Sequence, residues 1–123
     1  MRNLKDIICE RLVLSKNKKP TLFPKSKEEL KEIIKTEIEK NGNECSLNHI
    51  DVSKITDMSG VFFKSKFDGD ISDWDVSNVT NMYAMFSDSK FNGDISKWDV
   101  SGVISMARMF KYCPLENNPP KWY

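Results

Sequence analysis

Ile71-Ser72-Asp73-Trp74-Asp75-Val76-Ser77 returns 24 residues later as Ile95-Ser96-Lys97-Trp98-Asp99-Val100-Ser101, and stands 24 residues earlier as Leu47-Asn48-His49-Ile50-Asp51-Val52-Ser53. The register persists through each row. Ile55, Val79 and Val103 align, as do Met58, Met82 and Met106, then Phe62, Phe86 and Phe110, and finally Phe67, Phe91 and Leu115. A shared period across so many columns means stacked structural units, none of which can bury its apolar side alone. The Met, Phe and Trp columns therefore read as core, with one residue contributed per coil.

Two periodicities coexist within a row. Ile71, Trp74 and Val76 follow the L-x-x-L-x-L spacing of a short strand that turns its apolar residues inward. Val79, Met82 and Phe86 then recur at i, i+3 and i+7, the spacing of an amphipathic helical turn, with Ser77, Asn78 and Thr80 as N-cap oxygens. Gly69 and Gly93 stand where a tight return favours positive φ. The fold class expected is an α/β repeat: a short leucine-rich-repeat-like solenoid of 24-residue coils, each strand plus short helix, behind an α-helical N-terminal cap. We read residues 1–123 as a single domain, with the cap at 1–46, three repeats at 47–118 and a C-terminal cap at 119–123.

The cap reading rests on Ser26-Lys27-Glu28-Glu29, a capping box that opens a helix. Its stripe is Leu30, Ile33, Ile34 and Ile38, and Asn41-Gly42 supplies the stop. A second stripe, Leu4, Ile7, Ile8 and Leu12, predicts another helix over residues 2–13, followed by a basic loop at residues 15–20. At the far end Trp122 keeps the aromatic column of Trp74 and Trp98, and Pro119-Pro120 deprives a further strand of N–H donors.

These units resemble a known family. Trp74-Asp75-Val76-Ser77-Asn78-Val79-Thr80-Asn81-Met82, Met85-Phe86 and Phe91-Asn92-Gly93-Asp94-Ile95-Ser96 resemble the repeat of the BspA-like leucine-rich-repeat family. Phe23-Pro24-Lys25-Ser26-Lys27-Glu28-Glu29-Leu30 and Ile50-Asp51-Val52-Ser53 are similar to the cap that precedes it in short members, so the resemblance spans roughly residues 20–123. That family includes surface-anchored adhesins and short proteins of bacteria and their phages. The resemblance implies a binding scaffold and brings no catalytic residues with it.

Composition bounds the partner. A formal charge of +1 gives no field for bulk nucleic acid or an anionic membrane. No stretch approaches the roughly 20 apolar residues that span a bilayer, and the N-terminus has no signal-peptide core. Cys9, Cys45 and Cys113 are far apart with no Cys-x-x-Cys, which reads as three reduced thiols in a cytoplasmic monomer.

Candidate chemistry is sparse. The recurring Asp68-Gly69-Asp70 and Asn92-Gly93-Asp94 serve turns, because an EF-hand loop would need Gly at Asp73 and a carboxylate at Val79. Asp51, Asp75 and Asp99 are equivalent by repetition, whereas acid–base pairs need unlike environments. They are expected to accept hydrogen bonds in the following turns. His49 is the single histidine and has no recurring partner. We therefore expect no enzyme activity, no cofactor and no metal.

The expected function is protein binding through the solvent face of the strands. That face carries Asn48, His49, Asp51, Ser72, Asp73, Asp75, Ser96, Lys97 and Asp99. Tyr83 and Arg108, which the repeat pattern does not demand, add two residue types common at hot spots. One alternative is a phage or mobile-element inhibitor that blocks a host defence complex. Another is nucleic-acid binding through the basic residues 16–27 with Lys5 and Arg11, which lack interleaved aromatics apart from Phe23.

Overall fold

The 24-residue period is realised by lateral hydrogen bonds between turns rather than by strands. The computed structural model describes residues 20–123; the expected helix over residues 2–13 and the basic loop before Pro20 lie outside the described residues. Three coils follow the repeat: 47–70, 71–94 and 95–118.

From the first coil to the second, N–H groups of Met58, Gly60, Phe62 and Lys64 donate to the carbonyls of Asn81, Tyr83, Met85 and Ser87 at 2.8–3.0 Å. One period on, Met82, Ala84, Phe86 and Asp88 donate to Ser105, Ala107, Met109 and Lys111. Within the same segment the chain makes overlapping turns: Val61 donates to Met58, Phe63 to Gly60 and Ser65 to Phe62. Two positions of each coil take left-handed backbone. Gly60, Ala84 and Arg108 occupy the first, and Lys64, Asp88 and Tyr112 the second, with φ between 52 and 65.

This geometry corrects the expected fold class. Among the described residues there is no sheet; pairing is confined to isolated parallel bridges at Leu22–Ile50, Asp57–Asn81 and Asn81–Ser105. The segment from Ile71 to Val76 is a turn, with Trp74 donating to Ile71. The short helix expected at Val79, Met82 and Phe86 does not form either. A left-handed residue at every fourth position breaks the i→i−4 ladder, and the N–H groups a helix would use point sideways to the next coil. The strand-plus-helix α/β solenoid of leucine-rich-repeat type is therefore overturned.

Side chains hold the turns. Asp75 Oδ1 accepts both the N–H and the Oγ–H of Ser77, at 3.0 and 2.6 Å. Asp99 binds Ser101 in the same way, as Asp94 binds Ser96 and Asp70 binds Ser72. Hydrogen bonds from the serine hydroxyl and then the serine N–H hold the carboxyls of Asp51, Asp94 and Asp99 below the usual carboxylate value.

The core lies between the turns. Phe62, Phe86 and Phe110 stack at 5.4 and 5.8 Å between centroids, and Trp74, Trp98 and Trp122 at 6.4 and 6.5 Å. Each indole also reaches back one coil: Nε1–H of Trp74 donates to Leu47 O, that of Trp98 to Ile71 O, and that of Trp122 to Ile95 O. Buried polar tips need such partners. Trp98→Phe removes the indole bond to the Ile71 carbonyl, which keeps the Trp74 N–H as a donor, and is expected to cost about 1 kcal/mol in chemical denaturation. A loss under about 0.5 kcal/mol would mean the indole bond contributes nothing net.

One helix covers the first coil. Helix α1 spans Lys27–Asn41, with Ser26 Oγ accepting the Glu29 N–H and Gly42 (φ 90) donating to Ile38 O. Leu30 and Ile34 are buried in the common core, and Ile33 and Ile38 pack beside them. This end follows the capping-box reading. Cys113 is free and buried, but Cys45 is disulfide-bonded, which corrects the expectation of three reduced thiols. No helix among the described residues is long and apolar enough to cross a membrane.

Candidate functional site

The turns that replace the expected helix build a surface that no single row of the repeat encodes. The two left-handed columns leave a groove of 520 Å³ that crosses all three coils. Its aromatic walls are Phe63, Tyr83 and Tyr112, one from each coil, with exposures of 47%, 43% and 67%. Such rings are costly to leave in water without a partner, and contiguous exposed apolar surface marks interaction sites.

The repeat explains why these rings are exposed. Core columns hold an apolar residue in every coil, whereas Phe63 aligns with Ser87 and Lys111, and Tyr112 aligns with Lys64 and Asp88. Tyr83 aligns with Ser59 and Ala107. The Tyr83 and Tyr112 columns hold no buried residue, and in the Phe63 column only the small Ser87 is buried, so the three rings stay outside the core.

Charge in the groove is one-sided. Arg108 and Lys111 line it, and neither forms an ion pair among the described residues. Asp88 is the carboxylate of the lining, and its Oδ2 accepts from Ser87 Oγ at 3.3 Å. Lys111 Nζ stands 5.4 Å from the centre of the Tyr112 ring, and Lys64 Nζ stands 5.2 Å from that of Phe63. These cation–π contacts hold two ammonium groups at the edge of the aromatic surface.

Of the residues singled out from sequence, Tyr83 and Arg108 meet in this groove. The others do not join them. His49, expected on the outward face, turns to the cap: its Nε2 lies 2.6 Å from Glu37 Oε1 of α1, and its side chain is 13% exposed. Its Nδ1 and the Asn48 Nδ2 are buried and have no hydrogen-bond partner among the described residues. Asp51, Asp75 and Asp99 are occupied with Ser53, Ser77 and Ser101. Asp73 and Lys97 are exposed and lie outside the groove, and the Asp73 N–H donates to Asn48 Oδ1 at 3.0 Å.

Phe63, Lys111 and Tyr112 were not picked out in the sequence. For Phe63 and Tyr112 the signal was present as an aromatic residue in a column whose other members are polar; Lys111 gave none. Reading it required knowing that those columns face outward, which a helix would not have predicted. Among the described residues no group of three His, Cys, Asp or Glu side chains could hold a metal ion.

Residues 29–122, from the first turns of α1 to the last Trp of the indole column, match the model of a family described as Mycoplasma protein of unknown function, DUF285. No curated protein and no solved structure matches the chain.

Proposed function

This chain belongs to the DUF285 family, and from that premise we propose that it is a non-enzymatic interaction module that binds a protein partner through the groove across its coils. The observation that carries the reading is the aromatic groove itself, with Phe63, Tyr83 and Tyr112 exposed beside Arg108 and Lys111, two cations without an ion pair among the described residues. Aromatic residues and arginine at the centre of a surface depression are the usual source of binding energy. The repeat motif supports a further, finer reading: its sequence is of the BspA-like type, although its backbone is built from turns.

The binding face proposed here differs from the row of Asp, Ser and Lys residues expected first. Side chains already holding turns would have to give up those bonds to contact a partner. In the groove Ser59 accepts from Lys27 Nζ and Ser87 donates to Asp88, whereas the side chains of Phe63, Tyr83, Arg108, Lys111 and Tyr112 make no hydrogen bond among the described residues.

The test is affinity capture from host lysate with three forms of the protein. Wild type and an Asp73→Ala/Lys97→Ala control are expected to retain the same stoichiometric partner. Tyr83→Ala/Arg108→Glu is expected to lose at least about tenfold of it, which corresponds to some 1.4 kcal/mol. Equal capture by the groove variant, with its thermal melt unchanged, would overturn the reading.

A further inference from the structure

We infer that the groove recognises an acidic peptide segment carrying a large apolar or aromatic side chain. The inference rests on the interaction reading above and adds the chemistry of the partner. Three observations carry it.

Cations are concentrated here beyond what the sequence average implies. Next to the groove lies a second depression of 420 Å³, lined by Lys31 and Lys35 of α1 and by Lys64 and Lys66 of the first coil. Its carboxylate is Glu39, and its floor is apolar, with Ile34, Ile38 and Val61. The first coil's turns contribute to both depressions, Ser59, Gly60 and Phe63 to one and Val61, Lys64, Ser65 and Lys66 to the other, and Lys64 joins them by lying 5.2 Å from the centre of the Phe63 ring. Against them stand Asp88 and Glu39.

The protein's many aspartates do not neutralise this surface. Asp70, Asp75, Asp94 and Asp99 are held in their turns by serines and line neither depression. The two depressions thus gather six cations against two carboxylates, although residues 20–123 carry more acidic than basic side chains. Complementary charge of this kind speeds encounter and excludes wrong partners, while the apolar floor supplies affinity.

Two of the three rings favour a peptide over a nucleic acid. Base stacking needs open aromatic faces. Lys64 and Lys111 lie over Phe63 and Tyr112, so each of these rings already presents one face to its own lysine. An inserted side chain can pack against ring edges and aliphatic lysine stems, with carboxylates on either side meeting the ammonium and guanidinium groups. An acidic segment with one apolar anchor fits that arrangement.

The experiment pans the full chain against a random dodecapeptide phage library, alongside an Arg108→Glu/Lys111→Glu variant. The enriched peptide is then measured by fluorescence anisotropy at low and high salt, with an oligo-dT strand of equal length as competitor. Wild type is expected to select Asp/Glu-flanked aromatic or large apolar residues, with binding that weakens as salt rises. Charge reversal is expected to cost at least about tenfold in affinity, or 1.4 kcal/mol. Lys64→Glu, in a different coil, serves where the double variant fails to fold and should weaken the same peptide.

A neutral or basic consensus overturns the inference, as does no consensus. Equal binding by the charge-reversed protein overturns it too, and so does displacement by oligo-dT at lower concentration than the peptide. If lysate capture depends on the groove while panning yields a non-acidic consensus, the acidic partner falls and the interaction reading stands. If capture is also unaffected by the groove variant, both fall.

Discussion

Phe86→Ala is expected to remove about 4 kcal/mol of stability, enough to leave a domain of this size largely unfolded. Phe86 is fully buried at the centre of the middle coil. Its ring stacks on Phe62 at 5.4 Å, on Phe91 at 4.5 Å and on Phe110 at 5.8 Å, so it joins all three coils. Truncation opens a cavity lined by rings that are themselves fixed by backbone ladders, and such walls collapse poorly. The same change at Phe110 should cost less, because that ring lies in the last coil beside the half-exposed Tyr123. Denaturant midpoints of the two variants check the order. Equal losses would mean that the coils do not share one cooperative core.

Gly69→Ala is expected to cost about 3 kcal/mol, through overpacking rather than backbone strain. A Cβ at this position would lie 1.9 Å from the Cys45 carbonyl oxygen and 2.7 Å from the Phe67 ring. The oxygen belongs to backbone, so one segment of the first coil would have to move. At Gly93 the nearest neighbours are the Phe91 ring at 2.7 Å and the Gly69 oxygen at 3.2 Å, which predicts a smaller loss. At Gly102 nothing lies closer than 3.4 Å, and alanine should be nearly neutral there. Thermal melts of the three variants give the ranking. A Gly69→Ala protein within about 0.5 kcal/mol of wild type would remove the steric account.

The glycines illustrate how far a sequence argument reaches. Gly69 and Gly93 were marked as turn residues on the expectation of positive φ, yet neither adopts it; positive φ among glycines falls on Gly42 and Gly60. Gly69 is required because the backbone at Cys45 passes within contact distance, and no local pattern contains that neighbour. The non-glycine residues Lys64, Ala84, Asp88, Arg108 and Tyr112 adopt left-handed backbone instead. Each such residue costs about 1 kcal/mol locally. The hydrogen bonds that Ala84, Lys64 and Asp88 donate to the following coil offset that cost.

The site divides in the same way. Tyr83 and Arg108 were legible because they break the repeat pattern and are of types that bind. His49 was misplaced, since its polar character predicted an outward position while the Glu37 carboxylate of α1 draws it inward. Phe63, Lys111 and Tyr112 were missed because their exposure follows from a turn geometry that helical spacing conceals.

The sequence by itself determined the period, the core columns and the first helix. The 24-residue repeat sets which residues align. Fully apolar columns are driven from water whatever backbone carries them. Ser26, the Leu30–Ile34 stripe and Gly42 are local signals that close α1 without help from distant residues. Only the tertiary structure decided the backbone of the coils, because i, i+3 and i+7 spacing is met equally by a helix and by successive turns. The choice falls to whether N–H groups bond within the chain or across to the next coil. In a stack, each added coil supplies acceptors at the right spacing, and lateral bonding wins. The groove, which exists only where three coils lie side by side, follows from that same choice.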